Sequence, residues 1–358
     1  MKPQTLHLAL LAAGMFTAAG SQAQSAYQFI DLGNGTAAGI NDKGQIVGAS
    51  NLGATLWNGA DPIALNFGSG GYATAINNAG QIVGATVAHG LPTAVVWNGM
   101  TLTSLGASGY GDGITYATCI NNIGQVAGGA SFGAMSWKGT TPTGLAVNNG
   151  FSNVASGIND RGEVVGDASI YATGDTVATA WNGTTATVLP SLGGNNSYAY
   201  AVNNAGEIVG SANIAPNSQT YRATVWQGNT VTILDSLGGS KSFAYAVNNT
   251  GEVVGYATNA SGANLATLWD GTKAINLNTL LDPNVTQAGW VLTVATGIND
   301  QGWIVGDAIN ARLGEQDAFL LRVSAVPEAE GYLMLLVGLG LIGLMTNFRP
   351  KLLRGAAI

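Results

Sequence analysis

The stretch Val202-Asn203-Asn204-Ala205-Gly206-Glu207-Ile208-Val209-Gly210 decides the fold, because variants of it occur seven times in the chain. The mean spacing over the six intervals is 43 residues, which is the length of one four-stranded unit in a repeat array. Asn opens a tight turn in each copy and Gly takes the position that needs a positive φ, so each copy predicts a β-hairpin. The other six copies begin at Ile40, Ile76, Ile120, Ile158, Val247 and Ile298.

Each unit is predicted to form four strands. In the fifth unit, residues 197–202 alternate before the turn, and residues 207–211 return as a second strand. Residues 223–226 make the third strand, and residues 231–234 follow as the fourth after another turn at Gly228. A Trp followed two residues later by Gly marks the third strand of six units, at Trp57, Trp97, Trp137, Trp181, Trp226 and Trp269.

The seventh unit differs, since it has Phe319 in place of this Trp and lacks a fourth strand. Residues 27–33 near the N-terminus resemble the fourth strand at residues 232–238 and could complete the unit. A ring closed in this way leaves no exposed strand edges. We therefore predict an all-β fold over residues 27–323, a seven-bladed β-propeller of four-stranded repeats closed by an N-terminal strand, with an open β-solenoid as the alternative.

The repeats resemble the HAF family of extracellular repeats, which is named for a His-Ala-Phe tripeptide. The resemblance rests on Ser191-Leu192-Gly193-Gly194, on residues 198–204 and on the recurrence of Leu237-Gly238-Gly239. The naming tripeptide survives only as Asp317-Ala318-Phe319. The resemblance implies an extracellular location and a repeat architecture, and it implies no biochemical activity.

Residues 1–23 are predicted to be a signal peptide, with a plain N-terminal membrane anchor as the alternative. Lys2 precedes an apolar run from Leu6 to Ala19, and Ser21 and Ala23 place small residues at −3 and −1 of a cleavage site after Ala23. The apolar run is shorter than the roughly 20 residues that cross a bilayer. We expect export by the Sec route and processing by signal peptidase.

The C-terminal end carries a second predicted address. Residues 324–331 form a linker around Val326-Pro327-Glu328, residues 332–348 are predicted to be a transmembrane helix, and residues 349–358 form a basic tail expected in the cytoplasm. This arrangement resembles the PEP-CTERM sorting signal, although Ala329 stands where a second Pro is usual and the basic residues are dispersed. The resemblance implies processing by an exosortase-type protease at the inner membrane, and a permanent membrane anchor is the alternative.

Composition argues against several function classes. The formal net charge of −7 offers no basic stripe for nucleic acid. Cys119, the single cysteine, occupies a small-residue position of the repeat and is interpreted as structural, and His89 lies in a loop without a second metal ligand. The Asx-Asx-x-Gly turns lack the carboxylate spacing of calcium loops. We expect no catalytic residues, metal or cofactor.

Any specific function is expected where the copies differ. Asp167 and Asp307 follow the second-strand Gly in units four and seven, and across a ring they could bind a cation or act as an acid and base pair. Trp303 replaces a Gln or Glu of the other units, which predicts an exposed ring. Together with Trp290 it could stack on a sugar or contact a partner, the alternative being a ring folded onto local loops.

These observations predict an exported, non-enzymatic repeat protein of the cell surface or extracellular matrix, acting as a binding or structural scaffold. Its expected partners are signal peptidase, an exosortase-type protease, the inner membrane and an exopolysaccharide or cell-surface glycan. The alternatives are a polysaccharide lyase or hydrolase and a lectin-like module.

Overall fold

Antiparallel strands make up most of the protein, in a computed structural model that describes residues 27–65, 70–88, 90–99, 101–106, 113–147 and 150–323. All of these residues belong to one compact unit, Ser25–Val323. The predictions for residues 1–23 and 324–358, including Ala23, Val326, Pro327 and Glu328, lie outside the described residues, as does His89. No helix among the described residues is long and apolar enough to cross a membrane.

The first three repeats have the strands β1 (Tyr27–Ile40), β2 (Gln45–Ser50), β3 (Gly53–Asn58) and β4 (Asp61–Ala64); β5 (Gly71–Ile76), β6 (Gln81–Ala88), β7 (Leu91–Asn98) and β8 (Thr101–Ser104); and β9 (Thr115–Ile120), β10 (Gln125–Ala130), β11 (Gly133–Lys138) and β12 (Thr141–Gly144). Repeats four and five have β13 (Gly150–Ile158), β14 (Glu163–Ile170), β15 (Thr176–Asn182) and β16 (Thr185–Val188); and β17 (Ser197–Val202), β18 (Glu207–Asn213), β19 (Tyr221–Gln227) and β20 (Thr230–Ile233). Repeat six has β21 (Gly238–Val247), β22 (Val253–Asn259), β23 (Asn264–Asp270) and β24 (Lys273–Asn276), and a 3-10 helix (Leu277–Leu280) and α1 (Pro283–Gln287) lead into β25 (Trp290–Ile298), β26 (Ile304–Asn310) and β27 (Glu315–Val323) of repeat seven.

Within each repeat the strands pair antiparallel in chain order, as the sequence predicts. In repeat five, Val202 pairs with Ile208, Ile208 pairs with Trp226, and Trp226 pairs with Val231. The predicted four-stranded unit is therefore confirmed.

The sheet of repeat seven takes its fourth strand from the other end of the described chain. Tyr27 pairs with Val323 and Phe29 with Leu321, and the same strand continues past a register shift to pair with β2. The prediction that residues 27–33 complete the last repeat is confirmed, because β1 joins the sheets of repeats seven and one.

The closing Gly of the motif is explained by a β-bulge in the first strand. The bulge shifts the register between Ala199 and Ala201, and it brings the Tyr198 carbonyl so close to Gly210 that a Cβ there would collide with it. The six equivalent glycines meet the equivalent carbonyl, at Gly48, Gly84, Gly128, Gly166, Gly255 and Gly306.

The third-strand Trp residues link neighbouring repeats. Trp226 is fully buried among apolar side chains of repeats four and five, and its Nε1 donates a hydrogen bond to the Pro190 carbonyl beyond the fourth strand of repeat four. Among the described residues, equivalent bonds join Trp57 to Leu32, Trp137 to Gly106, Trp181 to Ala146 and Trp269 to Asp235. Phe319 fills the position in repeat seven and is also fully buried. Each apolar core layer therefore belongs to two repeats.

The first strands lie beside one another in repeat order. The strands β1, β5, β9, β13, β17, β21 and β25 each contact the next, and β25 contacts β1. The bulge residues mediate some of these contacts, since Thr118 Oγ1 donates to the Ala155 carbonyl of the next first strand. Neighbouring first strands are therefore in direct contact throughout the series.

Candidate functional site

The repeated Asn residues form the turns that the sequence predicts. Asn203 Oδ1 accepts hydrogen bonds from the backbone amides of Ala205 and Glu207, both at 3.0 Å, and Gly206 has a φ of 84°. The prediction that this Asn serves the turn is confirmed.

The same Asn has a second role that the sequence did not predict. Asn203 Nδ2 donates at 3.1 Å to the carbonyl of Asn248, the equivalent residue of the next repeat. This bond recurs at every step, and Asn299 donates to the Asn41 carbonyl at 3.1 Å. We call the resulting closed chain of hydrogen bonds the Asn ring, and its members are Asn41, Asn77, Asn121, Asn159, Asn203, Asn248 and Asn299.

The residues that follow the Asn ring in sequence form a second closed chain. The backbone amide of Asn204 donates to Asn249 Oδ1 at 2.9 Å, and that of Asp300 donates to Asp42 Oδ1 at 2.9 Å. The remaining links join Asp42 to Asn78, Asn78 to Asn122, Asn122 to Asp160, Asp160 to Asn204 and Asn249 to Asp300. Both chains line a polar cavity of about 220 Å³.

This cavity is built from side chains that already bond one another. Both oxygens of Asp160 accept hydrogen bonds from Asn122, and Oδ2 also accepts one from Asn204. Burial raises the pKa of Asp160, but these hydrogen bonds outweigh burial and the net pKa is lowered. No three His, Cys, Asp or Glu residues gather at a metal-binding spacing in the described part of the chain. Hydrogen bonds between the turn residues thus connect neighbouring repeats.

Asp167 lies on β14, opposite Val154. Its side chain is only 9% exposed, and Oδ2 accepts a hydrogen bond from Asn153 Nδ2 at 2.6 Å. Burial raises the pKa of the carboxyl in spite of that bond. Burial also raises the pKa values of Tyr116, Tyr198 and Tyr200, and the Asp167 carboxylate adds to each shift. Since β14 also packs against β17, the strand of Tyr198 and Tyr200, the carboxylate lies near the tyrosines of repeat five.

Asp307 occupies the equivalent position on β26, opposite Val294. Its Oδ1 is buried without a hydrogen-bond partner among the described residues. Burial raises its pKa to about 6, although the Ala37 backbone amide hydrogen-bonds to the carboxylate. The side chain thus faces the first strand of repeat one.

The two carboxylates have separate hydrogen-bond partners, Asn153 for Asp167 and the Ala37 backbone for Asp307. Each pKa is raised by the burial of its own group, and neither carboxylate contributes to the shift of the other. Both lie on second strands, β14 and β26, but their surroundings differ: tyrosines near Asp167 and a backbone amide beside Asp307.

Trp303 does not present an open ring. The side chain is half-buried against the core shared by repeats seven and one, and the Arg322 guanidinium lies 4.2 Å from the ring centroid. Trp290 is half-buried at the other end of the β25 and β26 hairpin, 5.5 Å from the ring of Phe29. The two Trp residues therefore do not form one platform, and the expectation of a freely exposed Trp303 ring is corrected by its contact with Arg322.

Cys119 is buried on β9, in the small-residue position that the sequence indicates. Burial raises the pKa of its thiol to about 12, so the thiol stays protonated at neutral pH and is a poor nucleophile.

Sequence reasoning missed a group of aromatic side chains in repeats five and six, which we call the aromatic cluster. Its rings are Tyr198, Tyr200, Tyr221, Phe243, Tyr245 and Tyr256. A detectable signal was present, because Tyr198-Ala199-Tyr200 and Phe243-Ala244-Tyr245 occupy the same positions of their repeats. Alternate residues of a strand lie on one face, so aligned copies would have placed four of the rings side by side.

Neither a scan against protein-family models nor a search of curated proteins finds a match for this chain.

Proposed function

We propose that the chain is a seven-bladed β-propeller that serves as an exported, non-enzymatic scaffold of the cell surface or extracellular matrix. The observation that carries the architecture is the Asn ring, in which every repeat bonds the next and Asn299 returns to Asn41. The pairing of β1 with β27 supports the same closure and disfavours an open β-solenoid, whose terminal repeats would not meet.

The scaffold role rests on how the polar residues are used. The Asx residues of the motif bond within turns and between repeats. Burial raises the pKa of Asp167 and that of Asp307, and neither carboxylate contributes to the shift of the other. A working hydrolytic or lyase site needs an acid, a base and a charge stabiliser at one place. The arrangement of the described residues therefore favours a scaffold over a hydrolase or lyase.

The destination rests on the two ends of the sequence. The predicted signal peptide would start export, and the resemblance of residues 326–354 to a PEP-CTERM signal implies release from the inner membrane to the surface or matrix.

Cell fractionation tests this proposal. The full chain is compared with a chain that ends after Val326 and with a Pro327→Ala, Glu328→Ala variant, using an antibody against the repeats. We expect a shortened form of the full chain at the surface or in the matrix, and the double variant retained at full length in the inner membrane. Full-length wild type held in the inner membrane would instead establish a permanent anchor.

A further inference from the structure

The aromatic cluster is a continuous surface across two repeats. Tyr200 meets Tyr245 edge-on with ring centroids 5.1 Å apart, and this pair joins the rings of repeats five and six. Phe243 stacks on Tyr256 at 5.1 Å and on Tyr221 at 5.7 Å. All six side chains are half-buried, so each retains some accessible surface.

The repeated fold does not require these rings. At the position of Tyr200 and Tyr245 the other repeats carry Ala38, Thr74, Thr118, Ser156 and Thr296. At the position of Tyr198 and Phe243, repeats one, four and seven carry Thr36, Val154 and Val294. Non-aromatic side chains therefore suffice at the Tyr200 position in five repeats and at the Tyr198 position in three, while Tyr72 and Tyr116 stand at the Tyr198 position of repeats two and three. A contiguous aromatic surface that the architecture does not need is typical of a binding site.

Polar groups accompany the rings. Asp167 Oδ1 has no hydrogen-bond donor in the described part of the chain, since only Oδ2 is bonded by Asn153. Asp167 Oδ1 is not one of the fully buried atoms that lack a partner, so a ligand hydroxyl can reach it and donate a hydrogen bond. The tyrosines add hydroxyls that can both donate and accept. Flat aromatic faces beside such groups match the alternating apolar faces and hydroxyl edges of a pyranose ring.

Charge limits the choice of ligand. Asp167 and the net charge of −7 oppose an anionic polymer. Arg222 and Lys241 border the cluster at Tyr221, since Arg222 Nη1 donates to the Ser240 carbonyl and Lys241 pairs with Tyr221, and their positive charges oppose a cationic ligand.

We infer that the aromatic cluster, with Asp167 of repeat four beside it, is a binding site for a neutral oligosaccharide. This inference rests on the proposed function and gives the scaffold a ligand class. The inference does not involve Trp290 or Trp303. Arg322 covers the Trp303 ring, and Trp290 lies at the other end of the β25 and β26 hairpin.

The test is direct binding to the purified full chain in detergent, by array screening of neutral, anionic and cationic oligosaccharides followed by calorimetry with the best neutral ligand. The key variant is Tyr200→Ser with Tyr245→Thr, which inserts the residues that repeats four and seven carry at these positions. We expect binding to weaken at least about tenfold, as for the loss of a central aromatic anchor. Asp167→Asn should weaken it about threefold to tenfold, the range expected when a charged acceptor becomes neutral.

The matched control is Tyr171→Ser, because Tyr171 is 72% exposed and pairs with Phe151 of repeat four outside the cluster. It should bind like the wild type, and circular dichroism should show all variants folded. Failure of every neutral oligosaccharide to bind, preferential binding of an anionic or a cationic oligosaccharide, or unchanged binding by the folded double variant would each overturn the inference. Mislocalisation of the protein in cells would overturn the proposed function but not this binding.

Discussion

The Asn ring lies in the turns that follow the first strands and four rings of the aromatic cluster lie on two of those strands, yet the two regions use the repeat in opposite ways. All seven repeats contribute the same residue to the Asn ring, and each contribution bonds the next repeat. The aromatic cluster draws mainly on repeats five and six, where Tyr200 and Tyr245 replace small residues. Uniform positions therefore build the scaffold, and divergent positions are free to acquire a function.

The comparison would fail if the repeats did not need closure, so the largest predicted effect concerns β1. Deletion of residues 27–34 removes the strand that pairs with β27 and uncovers the edge beside the buried Phe319 and Leu321. We expect the variant to lose cooperative unfolding and to aggregate. Thermal melting followed by circular dichroism measures this, with Gln28→Ala at an exposed position of the same strand as the control. A deletion variant that melts like the wild type would favour an open array.

Two neighbouring asparagines sharpen the comparison further. Asn203→Ala removes four hydrogen bonds and leaves a buried carbonyl of Asn248 without its side-chain donor, so the free energy of unfolding should fall by roughly 2–4 kcal/mol. Asn204→Ala, at an exposed position, removes only the two side-chain bonds with Asp160 and should cost less than about 1 kcal/mol. Urea unfolding of both variants measures the difference. Equal decreases in the free energy of unfolding would show that the Asn ring contributes no more to stability than the exposed Asn204.

Asp307 tests whether a divergent position can cost stability. Its pKa is raised to about 6 by burial, so the folded state opposes ionisation that the unfolded state permits at lower pH. Stability from this group is greatest below about pH 4, declines as pH rises to about 6, and stays reduced above that. Asp307→Asn should therefore add about 1–2 kcal/mol at pH 7, after allowance for solvent screening, and nothing at pH 4.

The measurement for Asp307 is urea unfolding of wild type and variant at pH 4, 5, 6 and 7. Asp270→Asn, at an exposed strand end, is the control and should not reproduce the pH-dependent difference. A wild-type to variant difference that is the same at pH 4 and pH 7 contradicts the prediction.

The smallest effect is expected at Trp303, a divergent position without an assigned function. Arg322→Gln removes the guanidinium 4.2 Å from the ring centroid and should lower the free energy of unfolding by about 0.5–1 kcal/mol. Arg322→Lys should retain part of the interaction. Thermal melting distinguishes the two variants, and a Gln variant as stable as the wild type would show that the Arg322 contact contributes nothing.

The sequence predicted what depends on local patterns. Alternation and the Asn-x-Gly turn revealed the four strands of repeat five, and the likeness of residues 27–33 to residues 232–238 revealed the strand that completes repeat seven. These features follow from side-chain periodicity and from the φ that Gly206 adopts, both of which are encoded within a few residues.

Contacts that a side chain makes with another turn or strand were not predicted. The bond from Asn203 Nδ2 to the Asn248 carbonyl depends on the spacing between neighbouring first strands, which no single copy encodes. The half-burial of Trp303 depends on Arg322, which lies on another strand of the sheet. Asp167 and Asp307 were found from their divergence, but only their surroundings reveal that one neighbours tyrosines and the other a backbone amide.

The dual use of β1 also has a consequence for the order of folding. Tyr27 and Val323 are paired although they stand about 300 residues apart in the chain, so the sheet of repeat seven cannot be completed until β27 has been synthesised. Contacts of such long sequence separation form slowly, because closing the loop costs entropy before any contact compensates it. Until then, the first eight residues of β1 lack their partner strand.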